Sequence, residues 1–547
     1  MSDRRPSRWR VVAAAFAAVG LATFFRLHQL DAIPRGLFID EAQNGLDALS
    51  IRNGESLPVF VEAGQVKTRG REPMLHYLMA GMFALRGPSV TSIRLTVALI
   101  GIATVAVFFF LGQRFFGLRV AFLSTVLLAV SSWHVTMSRV GVRAILTPLW
   151  ILLVCLALHR LVRRRTTGSA LVFGVLVGAG FYTYPAFWVV PLALVAVSIL
   201  LMLSRRVRWH GSDLRLVLVS LLGFCVVTAP LAQYAITKPD HFFARASELS
   251  EDLLASGERA AMFRDHLQRG LFMLHFRGDE SPMYNLPGRP FLDPVTGIAF
   301  VAGLFLIVKE LPRQPALHGA LLCCWLLPLI PGASTSTGAW GMRSIGAIPA
   351  VFLIAGLGIS RLTRNPIAWL PVPRWVSTVL LVAALAIISV LNYRGYFDDW
   401  ANDPGVQGSY GTGIVRFFDF CSDLARENAV YVSPYVYNSP NFRFLTSERS
   451  PGLRPFDDAA DLAVDSHDKR AARIFISDFA PLTDFIRRLY PGHEEIGRYS
   501  IWGRSGGFAL RVPEEQLRAE LSGAQRLEAG HWIRLMQAEF EAMTRSW

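Results

Sequence analysis

Residues 96–130 read TVALIGIATVAVFFFLGQRFFGLRVAFLSTVLLAV, two apolar runs joined by a short turn that contains two arginines. Extended to their polar borders, the runs cover Ser89–Leu111 and Val120–Met137. A helix of roughly 20 apolar residues is long enough to cross a bilayer. Runs of this kind recur from Val11 to Leu391. The sequence therefore predicts an α-helical polytopic membrane protein.

The composition of the whole chain agrees with a lipid environment. Of its 547 residues, 52% are hydrophobic and only 18% are charged, and the mean hydropathy is +0.37. Soluble domains carry about a quarter of their residues as charges. The net charge of +14 does not indicate nucleic acid, because the arginines stand in short clusters between apolar runs. Such clusters are typical of cytoplasmic loops.

The membrane topology follows from placing these basic clusters on the cytoplasmic side. The count then gives about eleven spans, a first outer loop at residues 31–88 and a long outer loop at residues 237–290. The predicted spans are Val11–Leu30, Ser89–Leu111, Val120–Met137, Ile145–Leu161, Ser169–Tyr184, Ala186–Leu203, Leu214–Ile236, Leu292–Val308, Ala316–Ile330, Ser344–Ile359 and Trp375–Leu391.

Two domains are predicted, a membrane domain at residues 1–395 and an extracytoplasmic α/β domain at residues 396–547. From about Tyr396 the long apolar runs stop and polar residues increase. The five cysteines suggest neither a disulfide framework nor a zinc site. The expected elements of the second domain are strands at Ala429–Ser433, Arg473–Ser477 and Gly507–Val512 and helices at Pro481–Tyr490 and Glu514–Met543.

The first outer loop is predicted to be structured. Acidic residues near a helix start are favoured by the helix dipole, so a helix is expected at Asp40–Arg52. The apolar stretch Pro73–Leu85 is too short to span a bilayer and is expected to form an interfacial or re-entrant helix.

Carboxylates and arginines gather at the predicted outer face. Arg binds phosphate oxygens in a bidentate manner, and a carboxylate can act as general base toward a hydroxyl. We expect Asp40 and Glu41 to be catalytic. The residues expected to bind substrate are Arg71, Glu72, Arg139, Arg143, Tyr184, His275, Arg277, Asn285, Arg289 and Arg343.

Each of these residues also has a simpler interpretation. An Asp-Glu pair at a helix start commonly serves only as a dipole partner. A single arginine at a helix end commonly extends to lipid headgroups, Tyr184 fits the interfacial aromatic belt, and His275 fits a packed interfacial residue. The functional interpretation rests on their convergence on one side of the membrane.

A resemblance to a known family adds to this interpretation. Residues 36–42 (GLFIDEA), 71–78 (REPMLHYL) and the later pair Arg94-Leu95 resemble the GT-C membrane glycosyltransferases. Specifically, they resemble the protein O-mannosyltransferase-like branch (glycosyltransferase family 39-like, bacterial), which includes the lipid A aminoarabinose transferases. Ser138-Arg139 followed by Arg143 resembles the second outer motif of this family, and the segment from Arg343 to Pro349 also fits.

The resemblance implies an outward-facing active site, with the catalytic acid of the first loop at Asp40 and Glu41 beside it. It also implies a polyprenyl-phosphate monosaccharide donor. Where many relatives have Lys before the proline of the first loop, this chain has Glu72. Phosphate binding would then fall to Arg71, Arg143, Arg289 or Arg343.

The leading hypothesis is an inverting glycosyltransferase in the cytoplasmic (inner) membrane that moves a hexosyl or pentosyl unit to a protein, lipid or glycan acceptor. Its partners would be the lipid-linked sugar, the acceptor and membrane lipids, with no nucleic acid. A divalent ion shared by Asp40, Glu41 and Glu72 is an open alternative for the cofactor. The alternative functions are a polytopic lipid or sugar transporter or flippase and an anchoring or sensing protein.

Overall fold

The computed structural model describes residues 7–62, 70–203, 213–243, 259–334, 340–363, 373–449, 452–455, 462, 472–477, 479–501, 504–513 and 521–545. The membrane domain is a bundle of helices joined by loops and short 3₁₀ turns. In chain order its helices are Arg8–Leu27, Ile39–Arg52, Met74–Arg86, Val90–Val130, Ser132–Met137, Leu146–Arg164, Thr167–Gly180, Val190–Leu203, Asp213–Thr237, Arg259–Phe272, Pro294–Glu310, Pro315–Leu326, Ile330–Ala333, Trp340–Arg343, Ile348–Leu362 and Arg374–Tyr393.

The predicted polytopic α-helical fold is confirmed. Among the described residues, eight helical segments are long and apolar enough to cross a membrane. All eleven predicted spans fall on helices of the bundle. Thr167–Gly180 and Pro294–Glu310 are apolar but shorter than the eight, with 14 and 17 residues.

The helix Val90–Val130 accounts for two of the predicted spans. It contains 41 residues, which at about 1.5 Å per residue would exceed the thickness of one bilayer. The backbone turns at Gly117, whose φ of +81° glycine adopts at little cost. A Cβ atom added to Gly112 would lie only 3.4 Å from the Cα of Ala121, so the two halves fold back against each other.

The first loop carries the two predicted helices. They extend over Ile39–Arg52 and Met74–Arg86, and they pack against each other. A two-stranded antiparallel sheet pairs Val61–Glu62 with Gly70–Arg71, which places the end of the loop beside the start of the second helix.

The C-terminal domain contains a five-stranded mixed sheet. The strand order is Arg454–Pro455, Ala429–Val432, Ala472–Ser477, Arg504–Pro513, Glu494–Ile501; the first three are parallel and the last two pair antiparallel. The helices of this domain are Pro404–Ser409, Thr412–Leu424, Pro434–Tyr437, Pro440–Arg449, Ala480–Leu489 and Gly523–Arg545.

The predicted α/β character of this domain is confirmed, with one shifted element. The terminal helix begins at Gly523 rather than at Glu514; Leu521 and Ser522 are not helical, and residues 514–520 lie outside the described part of the chain. The predicted domain boundary near Tyr396 stays a prediction. There the helix Arg374–Tyr393 continues directly into a π-helical turn, Arg394–Trp400.

Candidate functional site

The helix Ile39–Arg52, called the Asp40 helix below, presents its first two acids to different surroundings. No side chain caps its start, so Asp40 and Glu41 supply the negative charge that the N-terminal dipole favours. Successive helical residues point about 100° apart. The Asp40 side chain is 46% exposed, whereas Glu41 is fully buried. Only Asp40 is therefore accessible to a substrate.

Arg71 is the cationic neighbour of Asp40. Its Nη2 lies 3.5 Å from Asp40 Oδ1, and its Nη1 donates to Asn44 Oδ1 at 3.2 Å. The pairing of Arg71 with Val61 in the small sheet fixes its backbone. The guanidinium is partly exposed, so it can contact an anion that approaches Asp40.

Glu41 is part of a buried ion pair. Arg94 donates to the Glu41 carboxylate from Nε at 3.2 Å and from Nη2 at 3.3 Å, and the Gly141 amide donates to it at 3.1 Å. Arg94 also donates to the carbonyls of Pro34 and Gly36 at 2.9 and 2.6 Å. This network anchors the Asp40 helix to the membrane domain.

A polar face continues along the Asp40 helix. Asn44 and Asp47 follow Asp40 at helical spacing, and Asn44 donates to the Gly141 carbonyl at 2.8 Å. Asn44 Oδ1 lies 3.1 Å from His76 Nε2, and burial lowers the pKa of His76 well below its ordinary value. Burial raises the pKa of Asp47 to about 6, opposed by a hydrogen bond from Gln43 and by nearby arginines. Sequence reasoning missed this face, although its i, i+4, i+7 spacing could have revealed it.

Glu72, Arg143 and Tyr184 complete the same group. Glu72 and Arg143 form a buried salt bridge, and the Arg143 guanidinium lies 5.8 Å from the centre of the Tyr184 ring. The positive charge of Arg143 acts on both Asp47 and His76. The structure thus gathers Asp40, Arg71, Glu72, Arg143 and Tyr184 around one polar region.

Arg139 is placed differently. It is fully buried, and its guanidinium donates to the carbonyls of Phe25, Gln29 and Ile33 and to the Tyr396 hydroxyl at 3.0 to 3.2 Å. These partners occupy donors on all three nitrogens. Arg139 therefore ties the start of the first loop to the end of the last membrane helix.

The predicted residues of the long loop form a second group. His275 Nε2 lies 3.2 Å from the Gly297 carbonyl, and Arg277 is exposed and pairs with Glu280. Arg289 forms a salt bridge of 3.2 Å with Asp399. His275 and Arg277 are thus engaged close to their own part of the loop, whereas Arg289 contacts the turn Arg394–Trp400 after the last membrane helix.

Asn285 and Arg343 belong to the fold of this loop. Asn285 donates to the carbonyls of Asp279 and Arg289 at 3.2 and 2.7 Å. Asp279 is fully buried, and its Oδ2 accepts a 2.9 Å hydrogen bond from the Gly341 amide. The loop thereby holds the short helix Trp340–Arg343, and the positive charge of Arg343 acts on Asp279.

Comparisons with known proteins give the fold and a family match over part of the chain. Residues 70–232 match the family model of dolichyl-phosphate-mannose-protein mannosyltransferases. The solved structure of ArnT from Cupriavidus metallidurans bound to undecaprenyl phosphate superposes with a TM-score of 0.52 at 15% identity, over 94% of this chain and 100% of that one. The apo state of the same protein gives 0.51 at 15% identity, over 93% and 99%. No curated protein matches the sequence.

The chain has the GT-C fold. The predicted resemblance is thereby confirmed. In this chain the segment that matches the family model contains Arg71, Glu72, Arg139, Arg143 and Tyr184, whereas Asp40 precedes it. The roles of these residues stay predictions.

A divalent ion does not fit the acids of this GT-C site. Among the side chains that the structure describes, no three His, Cys, Asp or Glu residues come together as a metal would require. Glu41 is paired with Arg94, and Glu72 is paired with Arg143. Their oxygens are therefore engaged by guanidinium groups.

Asp279 makes the stability of this protein depend on pH. Burial raises the pKa of its carboxyl from 3.8 to about 7. Between these values the folded protein keeps a proton that the unfolded chain has lost, so stability falls as pH rises. We expect Asp279→Asn to stabilise the protein by about 2 kcal/mol at pH 8 and by less at pH 5. Thermal unfolding in detergent at both pH values measures the gain.

The matched control is Asp398→Asn, because Asp398 is exposed. Its effect should be small and equal at the two pH values. A gain for Asp279→Asn that does not change with pH would contradict the ionisation of a buried carboxyl.

Proposed function

We propose that this chain transfers a monosaccharide from a polyprenyl-phosphate donor to a hydroxyl of a protein, lipid or glycan, with inversion at the anomeric carbon. The observation that carries the proposal is the exposed carboxylate of Asp40 beside Arg71, while the neighbouring Glu41 is buried. The structurally similar ArnT binds undecaprenyl phosphate, which supports a donor of this class.

The chemistry assigns one role to each member of the pair. Asp40 accepts the proton of the acceptor hydroxyl as its oxygen attacks the anomeric carbon. The bond from that carbon to the phosphate oxygen breaks, and the lipid phosphate leaves with the electron pair. Arg71 lies where it can stabilise the negative charge that develops on the phosphate. A single displacement without a covalent intermediate inverts the anomeric configuration.

The surrounding residues support this pair. Glu41 and Asn44 hold the Asp40 helix against the membrane domain through Arg94 and Gly141. Arg143 is paired with Glu72, so this buried salt bridge adds no net charge to the site. A role for Arg343 in phosphate binding stays a prediction, because the contact described for it is with Asp279 in the fold of the long loop.

We place the site on the extracytoplasmic side of the cytoplasmic membrane. The basic clusters between the apolar runs favour their own ends of the helices as the cytoplasmic side, and the loop with Asp40 follows the other end of the first helix. The donor would then be used after its sugar has reached the outer leaflet.

The test is transfer from a defined donor. The purified protein, in vesicles, is supplied with polyprenyl-phosphate sugars of known anomeric configuration and with extracted envelope acceptors. We expect a product whose anomeric configuration, read by NMR, is opposite to that of the donor. A nucleotide sugar given alone is the control and should not react. Transfer from the nucleotide sugar, or a product with retained configuration, would overturn the proposal.

A further inference from the structure

We propose that the C-terminal domain is part of the catalytic apparatus, because it positions the Asp40 helix through Asn441 and Phe444. Both are positioning residues that act through the backbone of this helix. The proposal rests on the proposed function only where it concerns the consequence for Asp40 as base.

The first contact lies just before the Asp40 helix. The amide Nδ2 of Asn441 donates a hydrogen bond to the Leu37 carbonyl, and Asn441 is 2% exposed. Within the helix the first carbonyl that accepts an intrahelical bond is that of Phe38, from Ala42. The Leu37 carbonyl lies before the first intrahelical hydrogen bond. Burying a carbonyl without a hydrogen-bond partner costs free energy of folding. Asn441 therefore fixes the point from which the helix starts.

Residues 35–38, which lead into the Asp40 helix, also contact another part of the C-terminal domain. The Thr412 hydroxyl donates to the Arg35 carbonyl at 3.1 Å, and the rings of Phe38 and Tyr410 lie 5.9 Å apart. Gly36 has a φ of +89°, and a Cβ there would lie 2.9 Å from the Thr412 amide nitrogen. The backbones approach so closely that only glycine fits at position 36.

The second contact lies one turn beyond Asp40. A Cβ added to Gly45 would lie 2.7 Å from the Phe444 ring and 2.7 Å from Ile93. Phe444 itself is fully buried on the helix Pro440–Arg449 of the C-terminal domain. The Asp40 helix is thus packed directly between the two domains, without space for a methyl group.

The opposite attachments of the helix belong to the membrane domain. Glu41 is held by Arg94 and the Gly141 amide, and Asn44 is held by the Gly141 carbonyl. The orientation and the position of the Asp40 helix are therefore determined by contacts with both domains. Since a displacement of about 1 Å at a reacting group can lower a rate by about a hundredfold, removal of one attachment should affect turnover.

The experiment compares Asn441→Ala with Asn428→Ala in the full-length protein. Asn428 also donates its amide to a backbone carbonyl, that of Leu424, but within its own domain. Hydrogen exchange of peptides covering residues 36–52 and the kinetics of sugar transfer are measured for both variants. For Asn441→Ala we expect about tenfold faster exchange in these peptides, about tenfold lower kcat and a donor KM within about twofold of the original. For Asn428→Ala we expect neither change.

A second pair of variants distinguishes a displaced Asp40 helix from general misfolding. Gly45→Ala should lower kcat, although alanine is the better helix former and would stabilise an isolated helix. Phe444→Leu in the same chain removes one of the two groups that the new methyl group meets, the other being Ile93, and it should restore part of the activity.

The outcomes separate this proposal from the proposed function. Exchange in residues 36–52 that is equal for Asn441→Ala and Asn428→Ala, or full activity of Gly45→Ala, would overturn the positioning role. If the original protein transfers no sugar from polyprenyl phosphate, the proposed function fails, and the exchange measurement alone still decides whether the C-terminal domain orders the helix.

Discussion

Asp40→Asn is expected to lower kcat for sugar transfer by about a thousandfold, because a positioned general base contributes about 10²- to 10⁴-fold to a rate. Asparagine keeps the size of the side chain and an oxygen that can accept a hydrogen bond from Arg71, which lies 3.5 Å from Asp40. It cannot take the proton of the acceptor hydroxyl. The measurement is initial-rate transfer from a polyprenyl-phosphate donor at saturating concentration.

The matched control is Asp31→Asn, an exposed acid of the same loop. It should keep the original rate, and both variants should unfold at the temperature of the original protein. Undiminished turnover of a well-folded Asp40→Asn variant would remove the assigned role of Asp40 as the base.

Glu41→Gln should destabilise the protein by about 3 kcal/mol, since loss of one partner from a buried ion pair leaves an uncompensated charge. Glu41 is fully buried and Arg94 is 1% exposed. Glutamine can still accept one hydrogen bond, but it cannot neutralise the guanidinium. Thermal unfolding in detergent measures the loss.

Asp423→Asn provides the comparison, because it breaks the exposed pair between Asp423 and Arg426. Exposed pairs are worth at most about 1 kcal/mol. Similar unfolding temperatures for the two variants would show that the Glu41–Arg94 pair does not anchor the Asp40 helix.

The helices of the first loop could be predicted because their signals are local. Length separated the apolar stretch at Met74–Arg86 from the spans, and the acids at the helix start indicated Ile39–Arg52. The different surroundings of Asp40 and Glu41 could not be predicted in the same way. They depend on Arg94, which lies 53 residues after Glu41 in the sequence. Sequence alone shows Arg94 only as a polar residue near the start of an apolar run.

The candidate site residues also divide into those that local sequence predicts and those that depend on distant contacts. Arg71 was expected near Asp40 and lies there. The donors of Arg139 are instead bound to carbonyls of three residues more than 100 positions earlier, and no local pattern specifies such a contact. In the C-terminal domain, the strand Ala429–Val432 is apolar and was predicted, whereas Glu494–Ile501 begins with two acids and was missed.

The hydrogen bond between Asn441 and Leu37 joins positions 404 residues apart. A ribosome makes the chain from its N-terminus, so the last membrane helix, which ends at Tyr393, is made before Asn441. Until then the Leu37 carbonyl lacks this donor. If the C-terminal domain positions the Asp40 helix as proposed, a chain that stops before Asn441 is inserted but inactive, and full activity arises only after the segment with Asn441 has been made and folded.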